Sequence, residues 1–101
     1  MLGKSFNTKL NRILIHYSPK EQTVQAIEEL AELQKELAKI LNSKGDQKAL
    51  IGELADALIM IYQLIPIYEV DYKELEEIME YKVDRQIKRI EEEASKWQKN
   101  S

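Results

Sequence analysis

The stretch from about Gln47 to Ile65 constrains this chain most. Ala49, Leu50, Ile51, Leu54, Ala55, Ala57, Leu58, Ile59, Met60, Ile61, Leu64 and Ile65 point all round a helix. A helix apolar on every side is expected to be buried on most of them. Two acids, Glu53 and Asp56, interrupt the run. A membrane span is the competing reading of so apolar a segment. Each acid at bilayer depth costs on the order of 3 kcal/mol, and Gln63 and Pro66 add to the mismatch, so a soluble core helix is expected. Pro66 should end or kink this helix, because proline has no N–H for the ladder.

Three further segments surround it. Leu10, Ile13, Leu14 and Tyr17 recur at helical spacing, which predicts a short helix over roughly Ser5 to Tyr17. Ser18-Pro19-Lys20-Glu21 reads as a capping box with proline at the first helical position. The helix it opens should run to about Asn42 and stop in the turn-prone Asn42-Ser43-Lys44-Gly45-Asp46. On it, Ile27, Leu30, Ala31, Leu33, Leu37, Ala38 and Leu41 fall on one broad face, the expected core face. The last helix opens at Asp71-Tyr72-Lys73-Glu74 and should run to about Trp97, with Leu75, Ile78, Met79, Val83, Ile87, Ile90, Ala94 and Trp97 on one side. The tail from Gln98 to Ser101 is expected to fray.

The fold class that follows is all-α: an antiparallel helical bundle of three long helices plus a short N-terminal helix. Glycine and proline number three and two, too few for the turns of a many-stranded fold. A chain of 101 residues fits one domain over 1–101, but a helical hairpin this small buries a modest core. The bundle is therefore expected to be completed by oligomerisation, as a homodimer or homotetramer. No apolar signal core follows Met1, and the expected location is the cytoplasm. A net charge of −3 argues against nucleic acid as a partner. Without cysteine there is neither a disulfide nor a thiolate metal site.

The acids are arranged. Glu29 and Glu32 lie three residues apart, as do Glu53 and Asp56, and each pair therefore shares a helix face. Antiparallel packing about the short loop would bring the two pairs to matching heights. For Glu28, Glu29 and Glu32 alone, a solvated face shared with Lys35, Glu36 and Lys39 is the plain reading. For Glu53 and Asp56 it is salt bridging to another helix. Two carboxylates in the most apolar helix nevertheless call for compensation. A hard cation supplies it: Mg²⁺ takes oxygen ligands, with Mn²⁺ a possible substitute, whereas zinc lacks its usual nitrogen and sulfur donors here. On the last helix Lys82 falls inside the apolar arc and Arg85 and Arg89 flank it. This basic strip suits phosphate, or else pairs with Glu80, Glu92 or the hairpin acids themselves. The single histidine, His16, reads as exposed or capping. Tyr62, Tyr68 and Trp97 read as core or interface aromatics. One histidine and no cysteine leave no nucleophilic triad.

The stretch Glu28-Glu29-Leu30-Ala31-Glu32-Leu33, followed by Gly52-Glu53-Leu54-Ala55-Asp56-Ala57-Leu58, resembles the E-x-x-E, spacer, E-x-x-D signature of MazG-like all-α nucleoside triphosphate pyrophosphohydrolases. Tyr81-Lys82-Val83-Asp84-Arg85 resembles the basic patch that follows in many of them. The resemblance covers about Gln22 to Ile90. It implies cleavage of a (d)NTP between the α and β phosphates to the monophosphate and pyrophosphate. It further implies Mg²⁺ on Glu29, Glu32, Glu53 and Asp56, and Glu28 as the group that orients or deprotonates water. Lys82, Arg85 and Arg89 would meet the phosphates, and Gln25, one turn before Glu29, the sugar or base. Phosphoribosyl-ATP pyrophosphohydrolase, a related helical family, and a non-catalytic oligomerisation or regulatory module are the competing functions.

Overall fold

The computed structural model describes residues 2–100, and the side chains of 2–98. Four helices and no strand occur among the described residues: α1 (Lys4–His16), α2 (Pro19–Leu41), α3 (Gln47–Ile67) and α4 (Tyr72–Asn100). The chain divides into two units, Met1–Glu69 and Val70–Ser101.

In the first unit the helix boundaries follow local chemistry. Ser18 Oγ accepts a hydrogen bond from the Glu21 N–H at 3.1 Å, and Pro19 occupies the first helical position. At the far end of α2, Lys44 N–H donates to the Lys39 carbonyl at 2.8 Å and Ser43 N–H to the Ile40 carbonyl at 3.0 Å. This is a Schellman closure, and it holds Ser43 in the left-handed region at φ 59°. Gly45 then passes so close to Ile40 that a Cβ there would collide with the Ile40 side chain and backbone. Asp46 restarts the chain, its Oδ1 accepting from Lys48 N–H at 3.2 Å. Helix α3 continues one residue past Pro66, which forfeits a ladder bond only in the last turn. By length and mean hydropathy (1.6), α3 could cross a membrane.

Helices α2 and α3 pack against each other, and α1 packs against α3. Three contacts fix the antiparallel register. Asp46 N–H reaches Glu36 Oε1 near the loop. Glu29 meets Glu53 and Asp56 midway. Thr23 Oγ1 meets the Tyr68 hydroxyl at 2.6 Å at the open end.

Of the expected core face of α2, only Leu33 is turned into this hairpin. On α2 the inner stripe is Gln22, Ala26, Glu29, Leu33 and Glu36, all buried or half-buried. Ile27, at 64% exposure, and Leu30, Leu37 and Leu41 lie outside it. On α3, Glu53, Ala57, Met60, Gln63, Leu64 and Ile67 are buried or half-buried along one stripe, Ile65 is buried and Ile59 and Tyr62 half-buried off it, and Ile51, Leu54, Leu58 and Ile61 are exposed. Two helices in contact each cover only one stripe of the other, so the all-round burial expected for α3 is not reached in this unit. On α1, Phe6, Leu10 and Leu14 are half-buried, whereas Ile13 and Tyr17 are exposed.

The second unit is α4. Asp71 caps it, Oδ1 accepting from Lys73 N–H at 3.3 Å. The helix does not stop near Trp97 but runs to Asn100; the rest of the expected fraying tail, Ser101, lies outside the described residues. Its apolar arc of Ile78, Met79, Val83, Ile87, Ile90 and Trp97 is exposed.

Candidate metal centre

The inner stripes of α2 and α3 carry acids to the middle of the hairpin. Glu29, Glu53 and Asp56 each present a carboxylate oxygen, and the three oxygens lie within 4.8 Å of one another. Glu29 and Glu53 are half-buried and Asp56 is exposed, so the cluster is open on one side. Such spacing of anionic oxygens suits a shared cation: Mg²⁺ takes one or two protein carboxylates and leaves positions for water and phosphate.

Glu53 is the most perturbed of the three. Its Oε2 is sealed from solvent and has no hydrogen-bond partner. Its pKa is raised above the ordinary carboxylate value, first by burial and then by the charges of Glu32, Asp56, Glu29 and Glu36. Among the described residues neither Glu53 nor Asp56 forms an ion pair. The salt-bridge reading of these two acids therefore finds no basic partner. The three carboxylates fit a hard divalent cation, which would offset the charge of the half-buried Glu29 and Glu53 and satisfy the orphaned Glu53 oxygen.

Glu32 is exposed and stands outside the three-oxygen cluster, yet it is near enough to raise the Glu53 pKa. Glu28 is exposed. Gln25 is exposed and donates through Nε2 to Glu29 Oε1 at 2.8 Å, which orients that carboxylate. Lys82, Arg85 and Arg89 are exposed on α4, with the Arg85 guanidinium 5.9 Å from the Tyr81 ring centroid. His16 is exposed, its ring edge-on to Tyr17 at 4.6 Å. Of the aromatics expected in a core or interface, Tyr62 is half-buried, while Tyr68 and Trp97 are exposed.

Three polar residues are buried against expectation: Gln22, Glu36 and Gln63. Glu36, expected on a solvated face, is buried. It accepts from the Asp46 N–H at 3.4 Å and pairs with Lys39 Nζ at 3.8 Å, tying the end of α2 to the start of α3. The signal was its spacing: Glu36 lies seven residues after Glu29 and three after Leu33, on the same stripe.

No family model, curated protein or solved structure matches the chain.

Proposed function

We propose that this protein is a Mg²⁺-dependent nucleoside triphosphate pyrophosphohydrolase of the MazG-like kind, acting in the cytoplasm as a homodimer or homotetramer. The observation that carries the reading is the Glu29–Glu53–Asp56 cluster, with a buried, unpartnered Glu53 oxygen at the centre of a two-helix acidic motif. A solvated acidic face has no use for a sealed carboxylate oxygen; a cation site does.

Glu29, Glu53 and Asp56 would hold the ion, with Glu32 joining them or binding through water. When bound, the ion supplies Lewis-acid polarisation of phosphoryl oxygens and a lowered pKa for coordinated water. Gln25 fixes the orientation of the Glu29 carboxylate. Glu28, exposed beside Glu29, is the candidate to orient or deprotonate the attacking water. Water adds across the α–β anhydride, giving the monophosphate and pyrophosphate. Lys82, Arg85 and Arg89 are assigned to the phosphates, Arg through its two-pronged fork and Lys as a point charge. The exposed apolar stripe Ile51, Leu54, Leu58 and Ile61 on α3 supports self-association, since a monomer rarely leaves such a run in water.

The test is incubation of the full chain with ribo- and deoxynucleoside triphosphates, with and without Mg²⁺, and chromatography of the products. Monophosphate with pyrophosphate is expected, lost on chelation and in Glu53→Gln. A folded, metal-binding protein that turns over none of them would overturn the reading in favour of phosphoribosyl-ATP or a non-catalytic module.

A further inference from the structure

Beside the acid cluster, α1, α2 and α3 enclose a groove of about 630 Å³. This is within the range of roughly 300–1,000 Å³ common for small-ligand sites. Its wall surface is mostly apolar, from Ile13, Tyr17, Val24, Ile59 and Met60, with Gln22 and Gln63 and the charged Lys20 and Glu21 also lining it. Both amides are buried, Gln63 at 2% exposure and Gln22 at 5%. The Gln63 Oε1 has no hydrogen-bond partner and no access to water. A buried amide oxygen left unpaired costs free energy unless something that binds there repays it.

We propose that this groove is the nucleobase slot of the substrate, with the Gln63 amide as the residue that reads the base edge; the inference rests on the pyrophosphohydrolase reading above. Two observations point to that occupant. The first is chemical. A primary amide sets one acceptor beside one donor, and the terminal torsion of glutamine is broad; with Gln63 sealed at the groove wall, its amide would turn outward to meet a base. Nucleobases carry a donor beside an acceptor on a flat apolar ring, which suits apolar walls with an amide between them. The second is position. Gln25 lines the groove and also donates to Glu29. On α2, Gln22 lies seven residues before Glu29, about 10 Å along the helix. On α3, Gln63 lies seven residues after Asp56, a similar distance. A ligand seated here would extend towards the acids along the hairpin, with the sugar passing Gln25.

The test uses the full chain and has a readout independent of catalysis. The side-chain NH₂ signals of Gln63, assigned by their loss in Gln63→Leu, are followed by NMR during titration with uridine, cytidine, adenosine and guanosine. At least one nucleoside should shift them. Val24→Trp, which fills the groove from its half-exposed wall and leaves both amides in place, should abolish the shift. In the hydrolysis assay Gln63→Leu should lower kcat/KM for the preferred nucleotide by at least about tenfold. The Mg²⁺-induced rise in Tm should not change. Gln63 signals unmoved by every nucleoside, or a base preference that survives both substitutions, overturn the slot. If cleavage is intact in that case, only the slot is lost and the metal centre stands. If the unsubstituted chain cleaves nothing, the NMR titration still decides the slot on its own.

Discussion

Gln25 Nε2 donates to Glu29 Oε1 at 2.8 Å across one helical turn, joining the groove to the acid cluster. A carboxylate held this way offers its other oxygen in a fixed direction. Replacing Gln25 with alanine should therefore weaken Mg²⁺ binding by about tenfold, the low end for such supporting hydrogen bonds because Gln25 is exposed. Calorimetric titration with Mg²⁺ checks it. An unchanged affinity would mean that Glu29 needs no orienting partner.

Glu53 makes the metal-free protein sensitive to pH. Its folded-state pKa is raised, so between the ordinary and the raised value the folded chain binds more protons than the unfolded chain. Stability without metal therefore falls as pH rises through that window and recovers as pH is lowered into it. Mg²⁺ requires the ionised carboxylate, so its stabilising effect should grow with pH over the same range. Glu53→Gln removes the charge: the chelated variant should melt higher than the parent at neutral pH, with a flatter pH profile and no response to Mg²⁺. Thermal melts from pH 5 to 8, with EDTA or Mg²⁺, read all three. A chelated variant less stable than its parent would show that the ionised Glu53 is compensated within the protein.

Helix boundaries were legible in the sequence because they are local. Ser18-Pro19 and Asp71 mark helix starts through side chains that bond within three residues, and the structure shows those bonds. The juxtaposition of Glu29 with Glu53 and Asp56 was also legible, since a five-residue loop and i, i+3 spacing leave few registers. The inner stripe was not. Hydrophobic periodicity picks out Ile27, Leu30, Leu33, Leu37 and Leu41 as the core of α2, yet the hairpin turns only Leu33 of these towards α3, together with Gln22, Ala26, Glu29 and Glu36. Periodicity finds the most apolar face and cannot say which neighbour covers it. Here the strongest apolar face is left for something other than α3, and the weaker stripe carries the polar groups of the site. The orphaned Gln63 amide was invisible for the same reason, as a glutamine in an apolar run signals nothing until its surroundings are known.

Ser43 occupies the left-handed position that closes α2, where a Cβ is disfavoured by roughly 1–2 kcal/mol. The two hydrogen bonds of that closure are made by the backbone and need no serine side chain. Ser43→Gly should keep both and relieve part of the strain, offset by the greater freedom of glycine in the unfolded chain. A net gain of about 0.5 kcal/mol, or about 2–4 °C in Tm, is expected for a chain of this size. Urea unfolding at fixed protein concentration measures it. A loss of stability would mean that the serine hydroxyl contributes more than the backbone geometry costs.

Ile51, Leu54, Leu58 and Ile61 repeat at i, i+3, i+7 and i+10 along α3, with Ile51 57% exposed. This spacing gives a continuous apolar seam of the kind that meets another helix. Glu53 and Asp56 point away from the seam, roughly 120° and 180° round the helix from its centre, so a copy seated there would leave the metal centre open. Leu58→Glu places a charge in the middle of the seam without touching the inner stripe of Ala57 and Met60. Light scattering should show the parent as a dimer or tetramer and the variant as a monomer, with helical circular dichroism largely kept. A parent chain that is monomeric at high micromolar concentration would sink the idea, and the seam would then need cover from within the chain.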